Sequence, residues 1–338
     1  MKAYQIESFG LDGLVQRELP DPQAGPGQII VDVKAASLNY RDLLMVKGYY
    51  DKNIPLPLIP LSDGAGVVSQ IGDGVTKWQV GDRVAGAFFQ TWLEGDYDRE
   101  KSRVSLGGPR PGMLATKVVL EEAGAVQLPS HLTFEEGSTL PCAGVTAWNA
   151  LFNQFPIQPG QSVLVQGTGG VSMFALQFAK MAGARVVVTS SSDAKLERAK
   201  AMGAFATINY RDIPDWGAAV RKVTNGGVDC VVEVGGAGTL KQSLDAVRYG
   251  GRVEVIGVLS GVLGEIPTTT LLHKGIYLHG IYVGSVAMFK AMNLALEANA
   301  IHPVIGETFN FDDALDALKL MESAGHFGKI VIKVADAD

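Results

Sequence analysis

The sequence predicts an α/β protein in which a doubly wound parallel sheet is joined to a second, β-barrel-type domain. Three observations lead there. From Ser162 onward, short apolar runs alternate with helical stretches, as in a parallel sheet covered on both faces. Before that point, short extended segments are punctuated by glycine, with few helical patterns between them. A chain of 338 residues, 47% hydrophobic and 19% charged, has material for two cores rather than one.

The first domain reads as β throughout. In "GQIIVDVKAASLN", Ile29, Val31 and Val33 alternate with Ile30, Asp32 and Lys34, the period of a strand with one partly polar face. "GAGVVSQIGDGVTKWQVGDRVAG" holds two β-branched runs joined through Gly72-Asp73-Gly74, which is turn chemistry. "MLATKVVLEEAGAVQLP" adds another extended segment. Between them, "FQTWLEGDYDREKSRVSLGGPRPG" is polar and glycine-rich and reads as a long loop.

In the second domain, "SVLVQ" is a strand, "GTGGVSMFALQFAKMAG" a glycine turn opening a helix, and "ARVVVTS" a strand. "DAKLERAKAMG" reads as helix, "TINY" as a strand end, and "VDCVVEV" as a fully buried strand. "TLKQSLDAVRYGG" is expected to be a helix closed by its glycines, followed by strands "RVEVIGV" and "IYLHGIYV". The tail differs. "FDDALDALKLMESAG" puts Leu315, Leu318 and Met321 on one helical face, stops at Gly325, and leads into "KIVIKV". A doubly wound sheet is complete without this tail, so the tail is expected to rejoin the first domain. The expected boundaries are residues 1–145 with 283–338, and residues 146–282.

Composition excludes several classes. A net charge of −6 without a basic face argues against nucleic acid as a partner. No apolar run approaches the roughly 20 residues that cross a bilayer, and "MKAYQIESFG" has no signal-peptide pattern. Two distant cysteines make no disulfide framework, so a reducing, cytoplasmic location is expected.

"GTGGVS" follows a buried strand and opens a helix, so backbone N–H groups at the helix start can face a pyrophosphate. This context marks a Rossmann dinucleotide site, although Ser172 stands where a third glycine would ease helix–strand packing. The second strand ends "VVVTSSSDAK", with Ser190 where an NAD-preferring site carries an acid. Ser190 and Ser191 can donate hydrogen bonds to a 2′-phosphate, and Lys195 can supply a charge. NADP(H) is therefore expected over NAD(H). The competing reading has the serines and Asp193 capping a helix, with Lys195 in solvent.

Taken together, "PLIPLSDGAGVVSQIGDGV", "VGDRV", "LPCAGVTAWNAL", "AGARVVVTSSSDAKLERAKAMGA" and "HFGKIVIKV" resemble the medium-chain dehydrogenase/reductase superfamily over nearly the whole chain. The resemblance implies a GroES-like catalytic domain, a Rossmann domain and an active-site cleft between them. Zinc-dependent members hold their catalytic metal with two cysteines and a histidine. In the matching segments these positions carry Asn39, Ser62 and Cys142, and only the last is a ligand type. The loop matching the structural-zinc lobe has no cysteine, and the five histidines show no ligand-pair spacing. No metal is expected. Arg41, beside Asp42 and Asp63, either brings a guanidinium near the vacated position or forms a plain salt bridge. Cys142 reads as a buried small hydrophobe.

The chain thus looks closest to the zinc-independent, quinone oxidoreductase-like branch. That resemblance implies Thr146 near the nicotinamide, Gly169, Gly170 and Val171 at the pyrophosphate, and Tyr210 flanking the 2′-phosphate. It also implies Gly257 at the nicotinamide ribose and Lys329 reaching the pyrophosphate from the tail, against a solvated lysine at a strand start. Asn39 and Tyr50 are the catalytic candidates, with Tyr40 and Tyr49 as neighbours. Without a Lewis acid, a conjugated acceptor such as a quinone or α,β-unsaturated carbonyl is the easier substrate, because hydride addition leaves a delocalised oxyanion. The expected function is NADPH-dependent reduction of such a small molecule. The alternatives are a zinc-type alcohol dehydrogenase and a non-enzymatic NADPH-binding structural protein. A homodimer through "IYLHGIYVG" is implied by the same resemblance.

Overall fold

The structure is a computed structural model that describes residues 1–336. It divides into two compact units, Met1–Val145 with the chain from Gly284 onward, and Thr146–Val283.

In chain order the first unit begins with β1 (Lys2–Ile6), β2 (Leu14–Glu18), β3 (Gln28–Leu38), α1 (Tyr40–Val46), β4 (Asp63–Ile71) and β5 (Arg83–Gly86). It continues with β6 (Lys117–Glu121), β7 (Ala125–Gln127) and α2 (Phe134–Ser138), then a π-helical turn at Leu140–Gly144. The "MLATKVVLEEAGAVQLP" segment is therefore two strands, separated by a single 3₁₀ turn at Glu122–Gly124. The long loop from Phe89 to Gly112 has no regular element, and buried Trp92 anchors it.

α3 (Val145–Phe152) leads into the second unit, where strands and helices alternate. These are β8 (Ser162–Gln166), α4 (Gly170–Met181), β9 (Arg185–Ser190), α5 (Asp193–Ala201), β10 (Ala206–Asn209) and α6 (Trp216–Thr224). β11 (Val228–Glu233), α7 (Ala237–Ala246), β12 (Val247–Val255), α8 (Thr268–Lys274) and β13 (Tyr277–Gly280) complete it. The sheet order is β10-β9-β8-β11-β12-β13, all parallel. Order reverses between β8 and β11, which is where open α/β sheets take ligands beyond their strand ends.

One expectation fails here. "VRYGG" does not close a helix: α7 ends at Ala246 and β12 begins at the next residue. Tyr249, Gly250 and Gly251 instead lie in a register shift against β11, with Gly250 at φ 65. Glycine supplies the left-handed backbone that the irregularity needs.

The tail carries α9 (Val286–Ala298), β14 (Ile305–Asn310), α10 (Ala314–Ser323) and β15 (Lys329–Lys333). It completes the first unit, whose seven-stranded sheet runs β14-β15-β3-β4-β5-β7, with β6 also on β3. Ile330 to Lys333 pair antiparallel with Leu38 to Ala35. α10 buries Leu318 and Met321 in that unit's core while Leu315 lies at its margin. The left-handed cap of α10 is Ala324, at φ 52, one residue before the glycine expected there.

Candidate functional site

The C-terminal ends of the second unit's parallel strands gather most of the expected dinucleotide residues. After β8, Gly167 takes φ 68, open to solvent where a Cβ would stand, and Gly169 leads in extended form into α4. Gly170 and Val171 form the first turn of that helix, so their free N–H groups crown its positive end. Ser172 is buried, and its Oγ donates to the Gln166 carbonyl at 2.6 Å. That bond satisfies the hydroxyl where a third glycine was expected.

Beneath this turn lies a side-chain knot. Glu233, fully buried at the end of β11, accepts from Gly235 N (2.7 Å), Gly236 N (3.0 Å) and Thr239 Oγ1 (2.6 Å) through Oε1. Its Oε2 accepts from Gln166 Nε2 at 2.7 Å and from Ser243 Oγ. The Gln166 amide oxygen accepts from Val234 N and Gly235 N, each at 3.3 Å. The knot joins the ends of β8 and β11 at the switch point. Sequence reading missed it, although a glutamate ending the apolar run Cys230–Val232 was the available signal. Gly257 follows β12, and a Cβ there would sit 2.2 Å from the Val234 carbonyl oxygen, so close packing alone demands glycine.

Ser190 ends β9, buried, with its Oγ accepting from Ser192 N at 3.3 Å and its carbonyl from Tyr210 N at 3.1 Å. Ser191 follows, half-buried, and Tyr210 is exposed beside it. Ser192, not Asp193, is the N-cap of α5, its Oγ accepting from Lys195 N. The Asp193 carboxylate is held by Asn209 Nδ2 at 2.8 Å. Partial burial, and secondarily Arg198, push the Lys195 ammonium below the usual lysine range. Thr146, the first residue of this unit, is buried in α3.

The first unit holds a second polar assembly, at the three positions that match zinc ligands. Leu61, fully buried at φ 68, precedes Ser62 and the first residue of β4, Asp63. That conformation is uncommon for a bulky residue and marks local strain. Lys329 is buried, so it is not the solvated lysine at a strand start. Its Nζ donates to the Leu38 carbonyl and to Asn39 Oδ1, each at 2.6 Å, and lies 3.8 Å from Asp63 Oδ2. Asn39 Nδ2 donates to Ser62 Oγ at 3.3 Å and also to Asp63, and Ser62 Oγ donates to Asp63 Oδ1 at 2.7 Å. Asp63 Oδ2 accepts from Cys142 N at 3.1 Å.

Asn39 is therefore hydrogen-bonded at both ends of its amide. It orients the cluster, and its donors are already committed within it. The cation beside Asp63 is Lys329 rather than Arg41. Arg41 Nη1 instead donates to Asp42 Oδ1 (3.2 Å), Leu106 O (3.0 Å) and Gly107 O (3.1 Å). Its guanidinium carbon also stands 5.2 Å from the ring centre of Tyr50 and 5.1 Å from that of Phe88. Tyr50 thus has one ring face against a cation and is 39% exposed. Burial raises the Asp63 carboxyl to about 6, against the opposing pull of Lys329. Burial likewise pushes the Cys142 thiol up, with the Asp63 charge adding to it. Among the described residues, no three His, Cys, Asp or Glu side chains are grouped to hold a metal ion.

A chain that combines a parallel sheet carrying a helix-opening glycine turn at its switch point with a mixed β unit completed by the tail defines a dinucleotide-fold oxidoreductase. Residues 25–130 match the family model for an alcohol dehydrogenase GroES-like domain, and residues 170–298 that for a zinc-binding dehydrogenase. A zinc-type alcohol dehydrogenase-like protein of Schizosaccharomyces pombe is 45% identical over 97% of each chain. The quinone oxidoreductase-like protein 2 of Bos taurus is 26% identical over 95% of this chain and 89% of its own. The crystal structure of an NAD-dependent alcohol dehydrogenase superposes at TM-score 0.92, with 34% identity over 99% and 100% of the chains. A mycobacterial protein complexed with NADPH superposes at 0.84, with 25% identity over 99% and 100%. The chain belongs to the medium-chain dehydrogenase/reductase superfamily, the alcohol dehydrogenase-like oxidoreductases. No helix among the described residues is long and apolar enough to cross a membrane.

Proposed function

We propose that this oxidoreductase uses NADPH to reduce a quinone or an α,β-unsaturated carbonyl, without a metal. The observation that carries the metal-free part is the Lys329–Asn39–Ser62–Asp63 cluster. Asn39 and Ser62 are neutral donors and acceptors, and the buried ammonium of Lys329 already stands against the Asp63 carboxylate, while Asp42 is paired with Arg41. A divalent cation at the same place would meet that ammonium's charge and, at the three matching positions, a single ligand-type side chain, Cys142, so zinc does not fit these donors. Zinc-type names among the relatives favour the opposite reading. The two separate on one measurement. Purified protein washed with chelator is expected to contain well under one zinc per chain and to keep its thermal midpoint; near-stoichiometric zinc would defeat the proposal.

The dinucleotide supplies the hydride. Gly169, Gly170 and Val171 would hold its pyrophosphate at the start of α4, while Ser190, Ser191, Lys195 and Tyr210 would surround the adenosine end. Gly257 and Thr146 would lie toward the nicotinamide. Ser190 in place of an acid leaves no carboxylate to repel a 2′-phosphate, and Asp193 is turned to Asn209. Both NAD- and NADPH-linked proteins stand among the structural neighbours, so preference must be measured. NADPH is expected to bind more tightly than NADH. Lys195→Ala should reduce that difference by about 1–2 kcal/mol, the worth of one charge-assisted bond. Superimposable NADPH and NADH titrations of the parent protein would remove the basis for it.

On the substrate side, addition of hydride to the β-carbon of an enone moves the alkene electrons to the carbonyl oxygen. Tyr50, whose hydroxyl is on an exposed ring, is the donor assigned to that oxygen. Asn39 holds Lys329 and Ser62 in place instead of donating to substrate. We also propose a homodimer formed by pairing β13, whose outer edge ends the parallel sheet and carries exposed Tyr277 and Leu278.

A further inference from the structure

The N-terminal edge of the parallel sheet, opposite the glycine turn, holds charged groups that the hydride chemistry does not use. Arg252 and Glu254 alternate onto one face of β12. Register places Arg252 between Cys230 of β11 and Tyr277 of β13, and Glu254 beside His279. Strands of a parallel sheet ordinarily carry apolar residues at such positions, so a buried Arg–Glu pair here calls for a cause. Glu254 is well satisfied: Arg252 Nε and His279 Nδ1 each stand 2.9 Å from its carboxylate oxygens. Arg252 is satisfied only in part. It is 7% exposed; its Nε is held in the ion pair with Glu254, while its Nη2 makes no hydrogen bond.

Arg252 lines a cavity of about 360 Å³, at the small end of the ligand-pocket range. Phe155 and Tyr277 form an aromatic wall, ring centres 5.2 Å apart and tilted at 45°. Asp229 also lines it, but its carboxylate is taken by Ser162 N (2.8 Å) and Arg248 Nε (2.6 Å). Arg248 and Asp229 neutralise one another, so the remaining charged lining residue is Arg252, which shares the cavity with the two rings.

We propose that this cavity binds a small carboxylic acid with a planar, unsaturated or aromatic body. The carboxylate would supply the acceptor that Arg252 Nη2 lacks, and the body would lie against Phe155 and Tyr277. The site is independent of the dinucleotide turn, which follows the opposite ends of these strands, and does not rest on the assigned reaction.

Benzoate is the probe and inorganic phosphate its comparison, titrated calorimetrically into the full-length protein with and without saturating NADPH. Benzoate is expected to bind saturably, with a dissociation constant in the millimolar range or below, as roughly suits so small a ligand. NADPH should leave that constant unchanged. Arg252→Lys keeps a charge for Glu254 but loses the planar fork, and should weaken binding about 10-fold or more. Phe155→Ala, at a half-exposed wall residue, should weaken it several-fold; it carries the test if Arg252→Lys does not fold by circular dichroism. Absence of saturable benzoate binding would overturn the proposal. So would phosphate binding as tightly as benzoate, benzoate displaced by NADPH, or constants unaltered in whichever variants fold.

Discussion

Lys329→Met is expected to destabilise the protein by about 3–5 kcal/mol in denaturant unfolding at pH 8, because it leaves a buried partner charge uncompensated. The Leu38 carbonyl and Asn39 Oδ1 also lose their donor, so two buried acceptors go unpaired. The effect should depend on pH in a definite direction. Burial raises Asp63 from 3.8 to about 6, so its contribution to stability is full below about 3.8 and is lost as pH rises through about 6. Without Lys329 the carboxyl is less able to stay ionised, and at pH 5 it can take up a proton instead. The cost of Lys329→Met should accordingly be smaller at pH 5 than at pH 8. A cost under about 1 kcal/mol at pH 8 would mean that the ammonium is not holding this cluster together.

Turnover of an enone by Tyr50→Phe is expected to fall by about 10²-fold, with NADPH affinity held. The substitution keeps the ring against Arg41 and removes only the hydroxyl. The loss should appear in kcat and in kcat/KM alike, as for a contact made only in the transition state. With a quinone the loss should be smaller, since the reduced product is a resonance-stabilised anion that water can protonate. If the variant turns over the enone within about threefold of the parent, another group, or solvent, must supply the proton.

The Rossmann unit was legible because its signals are local. A buried strand, a glycine turn and a helix start sit within "SVLVQGTGGVS", and each following pair repeats the alternation. "VRYGG" misled because glycine before a strand reads as a helix stop; only the pairing of β11 with β12 shows those glycines absorbing a register shift. The tail's return to the first unit was legible from its change of style. Lys329 was not, because its partner Asn39 is 290 positions away and no local pattern distinguishes a buried lysine from a solvated one. The plain salt bridge open to Arg41 was legible, because its partner Asp42 is the next residue in the chain. Ser192 capped the helix that Asp193 was a candidate to cap, a choice set by one residue of frame.

The Glu233 knot makes the shape of the dinucleotide turn a late acquisition of the folding chain. Gln166 and Glu233 are 67 residues apart, and Ser243 lies 77 beyond Gln166. Closing loops of that size costs entropy before any of these bonds forms, and parallel pairing of β8 with β11 must come first. A nascent chain that has just exposed "GTGGVS" therefore carries the motif without the scaffold that fixes Gln166. Four of the five hydrogen bonds to the Glu233 carboxylate form within residues 233–243, and the fifth, from Gln166, ties that local turn to the glycine motif, so a fragment ending before Glu233 would hold the glycines with none of them.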